Sequence, residues 1–457
     1  MKKFCYSLSM LMLLTSSGFA QKKLTTETEK EKTERMAWWV NDRFGMFIHW
    51  GLYALPARHE WVKTHEQIPE EEYQEYFDRF NPDLFNPSDW AKMAKEAGMK
   101  YAVITSKHHE GFCMFDSEFT DYKVTSTPYG KDIIKEWVDA FRAEGLKIGF
   151  YYSLIDWHHP EYTVDRIHPL RPAADEEYAE INRKRDMNIY REYLHNQVRE
   201  ILTKYGKIDI LWLDYSFPGK HGKDRSDWNS EELLKMVRQL QPEIILNDRM
   251  DLKDYEDGWD FTTPEQFKVP AWPEVNGKRI PWETCQTFSG SWGYYRDEHT
   301  WKDSKQLLVL LIESVSKGGN LLLNVGPTGR GTFDYRAQAA LKSMGEWMKV
   351  NSRSIYGCTQ APEEFKIPDN CLLTYNPDTK RLYIHLLDYP LQNFMLPGYR
   401  GKVKYAQFLH DASEIRITDP HGYWIEQEVG ENDINLSLPV NKPNVEIPVI
   451  EVFLEDR

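Results

Sequence analysis

Cysteine is scarce. Five occur in 457 residues, at Cys5, Cys113, Cys285, Cys358 and Cys371, and their wide, irregular spacing matches no zinc motif. A bridge between Cys358 and Cys371 is left open by spacing alone. Basic clusters are also missing: 57 Lys+Arg stand against 71 Asp+Glu, a formal net charge of -14, which excludes nucleic acid as the expected partner. Beyond the first twenty residues no apolar run is long enough to span a bilayer, so a soluble mature chain with no membrane insertion is expected. There is no internal repeat and no low-complexity linker. At this length the chain exceeds one ordinary domain and fits a barrel of about 250 to 350 residues with an accessory module.

Aromatic residues, by contrast, are plentiful at 14%, including 16 Trp and 26 Tyr. Flat rings with polar tips serve large cores, and they also suit the apolar faces of sugars. The N-terminus reads as an export signal. Lys2 and Lys3 precede an apolar stretch from Leu8 to Leu14, and Ser16-Ser17-Gly18-Phe19-Ala20 places small residues for cleavage after Ala20. The expected destination is the periplasm or the medium.

One pattern dominates the next three hundred residues. Apolar, strand-like runs end abruptly on functional side chains: Phe44 to Ile48 on His49-Trp50-Gly51, Tyr101 to Thr105 on Lys107-His108-His109-Glu110, and Lys147 to Tyr152 on Asp156-Trp157. Likewise Ile208 to Leu213 ends on Asp214, and Glu243 to Leu246 on Asn247-Asp248-Arg249. Buried parallel strands that carry acids and histidines to their C-terminal tips are how barrel enzymes assemble an active-site face. Trp259 to Thr263, Trp282 to Cys285 and Gly319 to Val325 bring the strand count to eight. Apolar spacing of three and four predicts helices over Ser88–Ala97, Lys131–Glu144, Asp175–Tyr205, Ser230–Gln239, Lys302–Lys317 and Tyr335–Val350. No clear helix separates the fifth, sixth and seventh strands. The expected fold is an irregular (β/α)8 barrel over 21–350, opened by a charged, flexible lead-in at 21–34. A C-terminal antiparallel β-sandwich follows over 355–457, where short alternating runs such as Arg381 to Leu386 and Ile447 to Leu454 take over.

Taken together and in order, Phe47-Ile48-His49-Trp50-Gly51, Lys107-His108-His109-Glu110-Gly111-Phe112, Leu211-Trp212-Leu213-Asp214, Asn247-Asp248-Arg249, Ser291-Trp292-Gly293-Tyr294 and Gly318 to Pro327 resemble the α-L-fucosidases of glycoside hydrolase family 29. The likeness spans residues 35 to 350. It implies a retaining exo-hydrolase acting on fucosylated oligosaccharides or glycoconjugates without cofactor or metal, with Asp214 as nucleophile.

A retaining glycosidase needs two carboxyl groups about 5 to 5.5 Å apart, one ionised to attack the anomeric carbon and one protonated to release the leaving oxygen. Asp214 suits the first role. For the second, Glu265 in Thr263-Pro264-Glu265-Gln266 and Glu283 in Trp282-Glu283-Thr284 are both candidates; the resemblance, which places the acid shortly after the Asn-Asp-Arg strand, favours Glu265, and the other reading of Glu283 is a carboxylate that orients Arg249 or a tryptophan. The resemblance assigns His49, Glu60, Trp61, His108, His109, Tyr152 and Arg249 to the sugar hydroxyls. Phe47, Trp212 and Trp292 are candidates for an apolar slot around the C5 methyl, and each also has a plain reading as core. Two rival classes fit less well. A barrel metallohydrolase is disfavoured because no strand carries His-x-His and because adjacent His108 and His109 would face opposite ways if extended. A catalytically dead sugar-binding protein would have lost its acids, yet Asp214, Glu265 and Glu283 are all present.

Overall fold

The computed structural model describes residues 22–420 and 429–455, so the expected signal segment at 1–20 lies outside the described residues. Seven parallel strands form one curled sheet: β1 (Phe44–Ile48), β2 (Tyr101–Lys107), β3 (Lys147–Ser153), β4 (Ile210–Asp214), β5 (Ile245–Leu246), β6 (Glu283–Thr287) and β7 (Asn320–Val325). Their order is β5-β4-β3-β2-β1-β7-β6. The gap between β5 and β6 is crossed by the expected sixth strand, but only through isolated parallel bridges, Asn247 to Phe261, Thr262 to Trp282 and Glu265 to Cys285. A short hairpin at Glu274–Val275 and Lys278–Arg279 stands where a crossover helix would otherwise lie. The wall is therefore a barrel with one irregular seam.

Strand alternation sorts the side chains into two cores. Phe47, Tyr101, Val103, Tyr151, Ile210, Trp212, Ile245, Phe261, Cys285 and Leu322 fill the interior. Met46, Ile48, Ala102, Ile104, Phe150, Leu211, Leu213 and Leu323 face the helical layer. Gly45 has a local reason: a Cβ there would sit 2.3 Å from the inward-facing Tyr101 ring. The predicted helices form with small shifts, except that Asp175–Tyr205 divides into Glu177–Asn182 and Met187–Lys204. The polar run Arg183-Lys184-Arg185 carries no apolar face, and Asp186 starts the second helix by accepting the Asn188 amide at 2.8 Å.

The lead-in expected to be flexible over 21–34 is instead tied down and runs into helix α1 (Glu29–Asp42), opened by a Thr28/Glu31 capping box. Its charges concealed an inward stripe: Met36 and Trp39 join the barrel interior, and Arg35 is buried beside them. Arg35 grips Glu27 through Nε at 2.7 Å and Nη2 at 2.8 Å, and Asp260 through Nη2 at 2.8 Å. Arg238 Nη2 meets the other oxygen of Asp260 at 2.7 Å. Asp260 thus joins the N-terminal helix to the seam. Asp260→Ala removes the carboxylate that Arg35 and Arg238 share, leaving Arg35 only Glu27 as an ionic partner, and is expected to cost about 3 kcal/mol. The midpoint of urea unfolding checks this, and an unchanged midpoint counts against it.

Past helix Tyr335–Asn351 the chain enters two antiparallel sheets of five and three strands, with a separate core that includes Leu382, Ile384, Leu436 and Val452. The Trp347 indole donates to the Ile447 carbonyl at 2.8 Å and joins this sandwich to the barrel. All four described cysteines are free. Cys358 and Cys371 form no bridge because they belong to different cores, Cys358 to the barrel's and Cys371 to the sandwich's.

Candidate active site

The C-terminal strand ends enclose a cavity of about 310 Å3. Its floor is Phe47, Tyr151, Trp212 and Cys285, all inward-facing and buried. Above them stand His49, Glu60, His108, His109, Asp214 and Arg249, with Trp61, Trp292, Tyr215, His59, His65, Glu265, Gln266 and Gly290 toward the mouth.

Asp214, the last residue of β4, has both oxygens engaged. Tyr151 Oη donates to Oδ2 at 2.7 Å, and Arg249 Nη1 lies 2.8 Å from Oδ1. Burial opposes ionisation here, but the Arg249 charge and the Tyr151 hydroxyl outweigh it and hold the carboxyl below its usual range. Arg249 is itself fixed: Nε donates to Thr263 Oγ1 at 2.9 Å, and the guanidinium lies 4.6 Å from the Trp212 ring centroid. Its Nη2 meets Glu265 Oε2 at 2.8 Å. One guanidinium therefore spans Asp214 and Glu265 and keeps both carboxyl groups on the same cavity.

The two candidate acids differ sharply in setting. The Glu265 side chain is 43% exposed at the mouth. Glu283 is fully buried beneath the floor, accepts from Tyr101 Oη and from Trp212 Nε1 at 3.4 Å, and does not line the cavity. Burial, only partly offset by those two bonds, pushes its carboxyl up to about 7.

The histidines are set by their partners. Asn324 Nδ2 donates to the Trp292 carbonyl at 2.6 Å, so its Oδ1 accepts from His49 Nδ1 at 2.6 Å. Ser153 Oγ donates to the Ile155 carbonyl and accepts from His109 Nδ1, both at 2.7 Å. Each ring therefore carries its proton at Nδ1 and keeps Nε2 as a free acceptor for a hydroxyl. Burial lowers His49 to about 4 and His109 to about 3, so both are neutral at neutral pH. Glu60 Oε2 accepts from the Trp292 and Gly293 amides at 3.0 and 2.9 Å, which leaves Oε1 buried without a hydrogen-bond partner.

Tyr152, expected among the sugar ligands, stands elsewhere. It faces the helices, donating to Gln197 Oε1 at 2.8 Å under the Lys107 ammonium. Its neighbour Tyr151 takes the inward place, because the register sets Tyr151 beside Trp212 and Tyr152 beside Leu213. His108 and His109 do not face opposite ways either. Strand β2 ends at Lys107, and the two rings lie 4.1 Å apart in the same cavity. Sequence reasoning missed Tyr151, His59, His65, Tyr215 and Gln266, and Tyr151 could be told from Tyr152 only once the pairing of β3 with β4 was known. Among the described residues no group of three or more His, Cys, Asp or Glu is arranged to hold a metal ion.

Comparison with known proteins points the same way. The α-L-fucosidase family model matches residues 11–353. Among solved structures, α-L-fucosidase isoenzyme 1 from Paenibacillus thiaminolyticus is similar at a TM-score of 0.85 and 44% identity, over 93% of this chain and 100% of that one. A family 29 α-L-fucosidase from Bacteroides thetaiotaomicron, a mutant trapped as a covalent intermediate with 2-fluoro-fucosyl fluoride, reaches 0.79 at 28% identity, over 93% and 96%. The plasma α-L-fucosidase of Homo sapiens is 29% identical over 434 residues, 88% of this chain and 85% of that protein.

Proposed function

The chain belongs to the α-L-fucosidases of glycoside hydrolase family 29, and on that footing we propose that Asp214 and Glu265 perform its double displacement. The enzyme is a retaining, exo-acting α-L-fucosidase that releases terminal α-L-fucose from glycans or glycoconjugates through a covalent fucosyl-enzyme intermediate. In the first step ionised Asp214 attacks the anomeric carbon while Glu265 gives its proton to the departing oxygen. In the second Glu265 takes a proton from water, which displaces Asp214 from the same carbon with restored configuration. Tyr151 and Arg249 hold the attacking carboxylate in line. The Nε2 atoms of His49 and His109 and the unpartnered Glu60 Oε1 accept from the fucose hydroxyls. The floor of Phe47 and Trp212 faces the C5 methyl, where close packing discriminates by about 1 to 3 kcal/mol against a bulkier hydroxymethyl.

The observation that carries this reading is the single guanidinium of Arg249 joining an enclosed carboxylate to an exposed one. A screen of aryl glycosides tests it: release from the α-L-fucoside alone is expected, and silence on all of them restores the sugar-binding reading. The acid side of the pH profile adds a second check. Asp214 is held below the usual carboxylate range by Arg249, and burial lowers His49 to about 4 and His109 to about 3, so kcat/KM should show no fall near pH 6.5 as the medium is acidified. A limb at that pH would mean that an ordinary histidine governs the reaction.

A further inference from the structure

We propose that His59 and His65 form the subsite for the sugar that carries the fucose, a neutral pyranose ring seated at the cavity mouth. This rests on the fucosidase reading, and it follows first from how burial divides the lining. The fucose ring occupies the buried part, so the leaving sugar must lie where Glu265 can reach the oxygen that joins them. Glu265 is at the exposed rim, and so are His65 and the half-buried His59 and Trp61.

The local backbone is built around these rings. His59 sits at φ 98°, a strained conformation that L side chains rarely adopt. Its Nδ1 accepts the Trp61 amide at 3.1 Å, which places the ring proton on Nε2 as a donor. The neighbouring Glu60 Oε1, 3.3 Å from His59 Nδ1, has no hydrogen-bond partner: that nitrogen is already accepting and has no proton to give. The His65 ring lies 5.1 Å from that of His59 and 6.0 Å from that of Trp61. Partial burial lowers its affinity for a proton, and it presents a flat face to the mouth. Adjoining flat rings with a hydrogen-bond donor at the edge suit the apolar face and the hydroxyls of a neutral sugar, hexose or N-acetylhexosamine.

The full-length enzyme tests this through His59→Gly, His65→Ala and His65→Phe. Glycine adopts φ 98° without strain, so His59→Gly removes the ring and its bond from the Trp61 amide while keeping the backbone angle of the turn. The readouts are kcat/KM on fucosyl-galactose and the inhibition constant of free L-fucose, which has no leaving sugar. His59→Gly and His65→Ala should each lose about tenfold on the disaccharide while the fucose constant stays within about twofold, and His65→Phe, which keeps a flat ring, should lose less than His65→Ala. A fucose constant that rises in step with the disaccharide loss overturns the proposal, as does an unchanged disaccharide rate or an equal loss for His65→Phe and His65→Ala. Failure of the unaltered enzyme on every fucoside would instead strike the reading beneath it.

Discussion

Asp214→Ala and Asp214→Asn are expected to lower turnover by roughly four orders of magnitude or more, because no other ionised oxygen stands where the anomeric carbon must be attacked. The fold should survive. In Asp214→Asn the amide oxygen can still accept from Tyr151, and Arg249 keeps Glu265 and Thr263. Far-ultraviolet circular dichroism checks that point. The assignment itself is checked by inactivating the natural enzyme with 2-fluorofucosyl fluoride and sequencing the labelled peptide by mass spectrometry, where the adduct belongs on Asp214. With Asp214→Ala, azide can occupy the space of the lost carboxylate and should yield the inverted fucosyl azide. An adduct on another side chain would remove Asp214 from the reaction.

Glu265→Ala should produce a different pattern. A general acid matters in proportion to the poorness of the leaving group, so fucosylation by 4-nitrophenyl fucoside should be little affected while a sugar leaving group slows by about 10^2 to 10^4 fold. The second step then lacks its base, and azide, which needs none, should restore turnover and give the retained azide. Glu283→Ala should harm both substrates alike, since Glu283 lies beneath the floor, bonded to Tyr101 and Trp212, and acts on the site through the Trp212 ring against which Arg249 lies. Leaving-group dependence in Glu283→Ala and not in Glu265→Ala reverses the assignment.

What the sequence could convey depended on whether the signal was local. His49, His108, His109, Asp214 and Arg249 follow apolar runs, so their place at strand tips was readable, and each lines the cavity. Parity along a run of rings was not. Tyr151 and Tyr152 are chemically alike, and only pairing with the next strand decides which one faces inward. The resemblance favours Glu265 over Glu283 and no local pattern does, because Glu265 lies on the seam, where bridges replace a ladder and no regular alternation fixes which way a residue points. Helix α1 was misread because its buried face is only Arg35, Met36 and Trp39, and the Arg35 charge is neutralised by Asp260, 225 positions away. His59 was invisible in another way, since its role follows from a backbone angle that no side-chain pattern announces.

The floor formed by Phe47, Trp212 and Cys285 closes the cavity at its inner end. A glycan can therefore enter only tip first, and the cleaved fucose must leave through the mouth by which it came. Distributive action is the expected result, because each fucose needs its own fresh entry. On a glycan bearing two fucoses, the singly stripped species diffuses away and competes afresh with untouched substrate, so it builds up before the bare product does.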